Sequence, residues 1–223
     1  MSLPTTDDDR QLRTTDTEAE MWELADESDV SEARRAYPSG WLWLTGDESI
    51  RALVDALRDA DTDARYGTDD LAEMADRTPE AVDSVVDSLI SLGVLFADEG
   101  TYRVNEHSVV LHAVRKLSAA VEATGAPDDK SGFRHLSRLD SVRVMVDALV
   151  SADPDRSLTQ EDVHRLTGVS RKAVWIHVEQ LVELSVLEES GDEYLLVQDS
   201  PVLRWVQSAD AAVVGAALAA SHP

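Results

Sequence analysis

Residues 164 to 178, HRLTGVSRKAVWIHV, concentrate the side chains best placed to meet a nucleic acid. Arg171 and Lys172 can donate to guanine edges or to phosphate, and Trp175 and Ile176 can make apolar contact with thymine methyls. His164, Arg165 and Ser170 flank them. The segment carries three cations and no acid, whereas the whole chain carries 44 acidic residues against 20 Lys plus Arg, a formal charge of −24. Other chemistry finds little footing. There is no cysteine, hence no disulfide, thiolate nucleophile or cysteine-bound zinc. His107, His112, His135, His164, His177 and His222 form no metal-ligand spacing. No glycine-rich phosphate loop is present, and the scattered Asp pairs lack a partner for acid–base work. The expectation is a non-enzyme with no metal and no cofactor.

The elements that position this segment follow from local pattern. Val142, Met145, Val146 and Leu149 recur at helical spacing. Thr159 with Asp162 three residues on reads as a capping box opening a second helix that runs to about Leu166. Gly168 permits the positive φ of a tight turn, and Ser170 caps a third helix with Val174, Val178 and Leu181 as its buried stripe. VLEE and EYLLV around SGD read as a hairpin. Ser200-Pro201 opens a last helix.

The same order occurs twice. Shifted by 92 residues, 49–114 lies over 141–206 without a gap and with 22 identities in 66 positions. The sequence therefore predicts an acidic leader at 1–48, a first unit at 49–125, a linker at 126–140 and a second unit at 141–223. In the leader, residues 1–17 read as disordered and 18–36 as one acidic helix. Its Trp22, Trp41 and Trp43 read as docking the leader on the first unit, with a protein-partner site as the minority reading. Linker residues Lys130, Arg134 and Arg138 are candidate secondary phosphate contacts.

Helix, strand, helix-turn-helix, two-stranded wing, helix resembles the winged helix-turn-helix family, and LTQEDVHRLTGVSRKAVWIHVEQLVELSVLEE is similar to the core of MarR-like or TrmB-like regulators. The resemblance covers about 150 of the 223 residues. It implies a mainly α fold with small β wings (α+β), two tandem winged-helix domains, and a third helix that enters the major groove. The units differ on that helix. Residues 72–86 hold Glu73, Asp76, Glu80 and Asp83 against Arg77, a net of −3; the aligned 164–178 hold Arg165, Arg171 and Lys172, a net of +3. Double-stranded DNA is thus the expected partner of the second unit, and the first reads as a degenerate copy that serves as scaffold, dimer surface or protein-partner site. The hairpins FADEGTYR and EESGDEYL argue against strong wing contacts.

Acid spread along the whole chain, with three Lys against 17 Arg, resembles haloarchaeal proteins, which implies molar internal KCl. At about 1 M salt the Debye length is only about 3 Å, so global repulsion from DNA is weak. The N-terminus lacks a basic-then-apolar order, and no apolar run approaches the roughly 20 residues that span a bilayer. A cytoplasmic protein with no membrane association is expected. The apolar C-terminal helix, Leu203 to Leu218, is the expected homodimer contact. The rival reading is a non-DNA-binding tandem winged-helix interaction module, similar to acidic proteins of chromosome condensation complexes.

Overall fold

A computed structural model of the protein describes residues 11–125 and 131–220; residues 1–10, Lys130 with the rest of 126–130, and His222 lie outside the described residues. The chain is mainly helical, with two small antiparallel two-stranded sheets.

The leader is more structured than its composition suggested. Residues 11–17 are docked: Leu12 is buried, and the amides of Gln11 and Arg13 donate to the Ala36 and Pro38 carbonyls at 2.9 and 2.8 Å. Two helices, α1 (Glu18–Glu27) and α2 (Val30–Ala36), replace the single one expected. Asp29 makes the break. Its backbone is extended and its carboxylate accepts from the Glu32 amide, which starts a new helix. A third helix, α3 (Gly40–Gly46), is capped by Ser39.

From α3 onward the elements come in pairs. α3 is followed by α4 (Glu48–Leu57), α5 (Thr68–Ala75), α6 (Pro79–Asp83), α7 (Val86–Ser91), β1 (Leu95–Asp98), β2 (Thr101–Val104) and α8 (Val109–Glu122). Then come α9 (Gly132–Ser137), α10 (Asp140–Val150), α11 (Gln160–Thr167), α12 (Arg171–Glu183), β3 (Leu187–Ser190), β4 (Glu193–Leu196) and α13 (Pro201–Ala220). Each start falls 92 residues after its counterpart: 132 after 40, 140 after 48, 171 after 79, 201 after 109. The isolated bridges Tyr66–Tyr102 and Leu158–Tyr194 keep the same offset. The repeated elements thus begin at Ser39 and Ser131, about ten residues before the stretch of identity. The segment expected to be a plain linker is the first helix of the second half.

The halves hold each other reciprocally. α3 packs on α10 and α13 of the second half, while α9 packs on α4 and α8 of the first; α8 and α13 run against each other between them. Single contacts repeat the exchange. Ser39 donates to Asp147 and Ser131 to Asp55. The Trp41 amide donates to Asp210 Oδ1 and the Phe133 amide to Ser118 Oγ, both at 3.1 Å. A Cβ on Gly40 would strike the Asp210 carbonyl, and one on Gly132 the Ser118 carbonyl, so glycine lets each helix approach at backbone distance. Trp41 and Phe133, themselves 92 apart, meet edge to face at 6.1 Å. When i touches j and their counterparts touch in return, the contact has the form of a two-fold interface. Here it lies inside one chain.

This arrangement gives the C-terminal helix a packing role within the chain. Val202, Leu203, Val206, Ala209, Val213 and Ala217 are buried, against α8, α3 and α10 of the same chain. Most of the apolar face assigned to a second copy is therefore covered within the chain, while Leu218 at its end stays 42% exposed. The reading that no apolar run is near membrane-spanning length also needs amending. α13 has 20 residues and is long and apolar enough by composition to cross a bilayer, but it carries Arg204 and Asp210 and buries one face in the core.

Asp210 provides a pH test. Burial pushes its carboxyl above the ordinary carboxylate range, against the lowering effect of the Trp41 amide, and neighbouring Asp147 pushes it further up. The folded chain then holds this proton more tightly than the unfolded chain does. Asp210 therefore favours folding at acid pH, and that contribution is lost as pH rises through the folded value. Asp210→Asn keeps an acceptor for the Trp41 amide without the charge. In urea unfolding it should be more stable than wild type at neutral pH, with the difference vanishing below about pH 4. A loss at neutral pH would mean that the ionised carboxylate is net favourable there.

Candidate nucleic-acid interface

α11, its turn and α12 form locally as their sequence dictates. Thr159 accepts from the Asp162 amide at 3.1 Å and Asp162 from the Thr159 amide at 3.0 Å, a reciprocal cap. Gly168 ends α11 with φ +71°, and Ser170 accepts from the Ala173 amide to start α12. Val174, Val178 and Leu181 are buried, which turns the opposite face outward. On that face Trp175 is 68% and Ile176 47% exposed, far beyond what large apolar side chains in the core show. Lys172 is exposed beside them, with no ion-pair partner within 4 Å among the described residues.

Two of the cations are less available than the sequence implied. Arg171 forms a two-pronged pair with Glu161 of α11, Nε to Oε2 at 2.6 Å and Nη2 to Oε1 at 2.8 Å. Arg165 reaches the same carboxylate at 3.3 Å. The Arg171 hydrogen bond holds the Glu161 carboxyl below the usual carboxylate range and raises the guanidinium in return. Glu161 lies three residues outside the acid-free window, so counting charge along the chain missed it. His164 is half-buried, its Nδ1 2.7 Å from the Val169 carbonyl, so it braces the turn rather than facing outward. Ser170 is exposed at the start of the helix with its hydroxyl engaged as the cap. Lys172, Trp175 and Ile176 remain as a free outward cluster. Arg134 and Arg138 are exposed on and just after α9.

The first half offers a different surface at the equivalent place. Its third helix is two short pieces, α6 and α7, separated by Ser84 and Val85. Glu80, Asp83 and Asp87 are its exposed charges. The hairpins are acidic as expected, with Glu188, Glu189, Asp192 and Glu193 exposed in the second half.

The leader frames the interface, a feature sequence reading missed. Arg13 and Arg34 both pair with buried Asp147 of α10, Arg13 at 3.0 Å, and Arg34 Nη2 donates to the Leu166 carbonyl at 3.3 Å. This ties α2 to the end of α11. At the turn the approach is close: a Cβ on Gly168 would sit 2.9 Å from the Ser31 backbone nitrogen. Trp41 and Trp43 are buried, but Trp22 is 45% exposed. Among the described residues, no group of three or more His, Asp or Glu side chains is arranged to hold a metal ion. Comparison with protein-family profiles, curated proteins and solved structures finds no match to this chain.

Proposed function

We propose that the chain is a tandem winged-helix regulator that binds double-stranded DNA through α12, acting in the cytoplasm of a haloarchaeon. The observation that carries this reading is the contrast between equivalent helices. α12 is continuous and turns Lys172, Trp175 and Ile176 outward; its counterpart is broken and acidic. In this reading α12 enters the major groove. The reciprocal packing of the halves supplies inside one chain the pairing that winged-helix regulators commonly obtain by dimerising, so no second copy is needed. Only one half reads DNA, so the site recognised is asymmetric. The lysine-poor, acid-rich composition supports molar KCl as the working medium, where only groups touching the duplex count.

Gel shifts with genomic fragments in molar KCl test it. Arg171→Ala with Lys172→Ala should weaken specific binding about tenfold or more, since a good bidentate base contact is worth about 1–3 kcal/mol. Glu80→Ala, at the position equivalent to Lys172, should leave binding nearly unchanged. Glu161→Gln, which frees Arg171, should strengthen binding. Weaker binding in Glu161→Gln would mean that the pair orients Arg171 for its contact. Equal losses in the two halves would remove the asymmetry.

A second reading rests on a specific observation. Exposed Trp175 and Ile176, a neutralised Arg171 and acidic hairpins also suit a protein-binding module. Absence of DNA binding in high KCl would favour it.

A further inference from the structure

A cleft of about 550 Å³ opens between the leader and the α11–α12 turn. That volume lies within the range of roughly 300–1,000 Å³ typical of small-molecule sites. Its apolar lining includes Pro38, Leu42, Leu139, Val144 and Val169. Its polar lining includes Arg34, Arg35 and Arg143 with a single acid, Asp140, together with Ser170 at the start of α12. A cation-rich cleft is unusual in a chain of net charge −24. Arg143 is held by Asp140 at 2.7 Å and by the Ser137 carbonyl, and Arg34 by Asp147. Arg35 is exposed, with no ion pair within 4 Å among the described residues; the nearby Asp29 carboxylate is engaged as the cap of α2.

The internal repeat puts a different lining at the equivalent place in the first half. At the same place in the first half, Arg77 stands where Val169 stands and Glu48 where Asp140 stands, and the two close on each other at 2.6 Å. In the second half Val169 leaves that space open and lines it with carbon. The outer wall, α2 with Ser31, Arg34 and Arg35, comes from the leader and lies on this side.

We propose that this cleft binds a small organic anion, an acid with an apolar body, whose charged group is taken by Arg35 and the start of α12 while its body packs on Val144 and Val169. The anionic group meets the exposed Arg35 guanidinium, whose neighbour Asp29 is already engaged as the cap of α2, and the positive end of a 13-residue helix. The apolar body meets the floor that the first half lacks. Because the walls are α2 on one side and the turn before α12 on the other, the ligand clamps the leader against that turn. The inference stands apart from the DNA reading, because it is tested without nucleic acid.

Anilinonaphthalene sulfonate is a suitable probe, an apolar body with one fixed negative charge, and phenylnaphthylamine is its uncharged parent. Fluorescence titration of the full chain in molar KCl should show saturable one-to-one binding of the sulfonate. Arg35→Glu changes an exposed residue, so folding should persist, as circular dichroism checks. It should weaken the sulfonate about tenfold while leaving the uncharged parent unchanged. Val144→Trp should fill the floor and remove both. If that variant fails to fold, the Arg35→Glu comparison decides alone. No saturable binding, or sulfonate affinity indifferent to Arg35→Glu, would overturn the proposal. Equal weakening of both probes by Arg35→Glu would overturn the anion assignment.

Discussion

Asp147→Ala should destabilise the protein by about 3–5 kcal/mol, because it leaves buried Arg34 and half-buried Arg13 without a counter-charge. Arg34 is 5% exposed and Arg13 17%, and both depend on this carboxylate, as does the Ser39 hydroxyl. Three leader segments, the stretch around Arg13, α2 and the cap of α3, converge on one side chain of α10. The loss should therefore appear first as release of the leader: amide exchange in α2 should accelerate before exchange in the core of α10. Asp55 is the internal control. It is the counterpart of Asp147, but it holds only Ser131 and Arg58 and is 17% exposed. Asp55→Ala should cost only about 0.5–1.5 kcal/mol. Urea unfolding in KCl measures both, and equal losses would mean that the leader contributes nothing through Asp147.

Trp41→Ala should cost about 3–5 kcal/mol. The side chain is fully buried, lies edge-on to Phe133, and donates its indole N–H to the Arg143 carbonyl at 3.1 Å. Removing it opens a cavity where the halves meet and takes the indole N–H away from the Arg143 carbonyl. Phe133→Ala should also be costly, and the double variant should lose less than the two single losses added, because the residues share one contact. Trp22→Ala should stay within about 0.5 kcal/mol, as an exposed residue away from the core does. Full additivity at Trp41 and Phe133 would mean that they do not form a common junction.

Local structure was legible where one residue decides it. Thr159 with Asp162, Gly168, Ser170 and Pro201 each impose a cap, a turn or a start through their own backbone or side-chain chemistry, and each acts there as that chemistry requires. The stripe of Val174, Val178 and Leu181 needed only helical spacing. What escaped were contacts between residues far apart in the chain. Arg34 and Asp147 are separated by 113 positions, and nothing in their neighbours marks them as partners. Glu161 and Arg171 lie ten apart across a turn, a spacing that neither helix nor strand periodicity flags. The helices α3 and α9 did leave a trace: Ser-Gly-aromatic begins both SGWLWLT and SGFRHLS. That trace is faint because continuous identity starts only at Ser49. The break between α6 and α7 falls in VDSVV, where Asp83 and Ser84 favour local side-chain bonds, Ser84 donating to the Ala81 carbonyl; the equivalent VWIHV stays helical. The composition of residues 11–17 suggested disorder, and Leu12 in the core with Arg13 on buried Asp147 overrode it.

The central claim is that α12 of the second half alone reads duplex DNA. Selection from a pool of random duplexes in molar KCl, using the full chain, tests it most directly. A single motif without two-fold symmetry should be enriched. That enrichment should be lost in a Lys172→Glu, Trp175→Ala variant and retained in Glu80→Ala. No enrichment by the wild-type chain would contradict the claim, and so would a palindromic motif or a motif that survives the changes in α12.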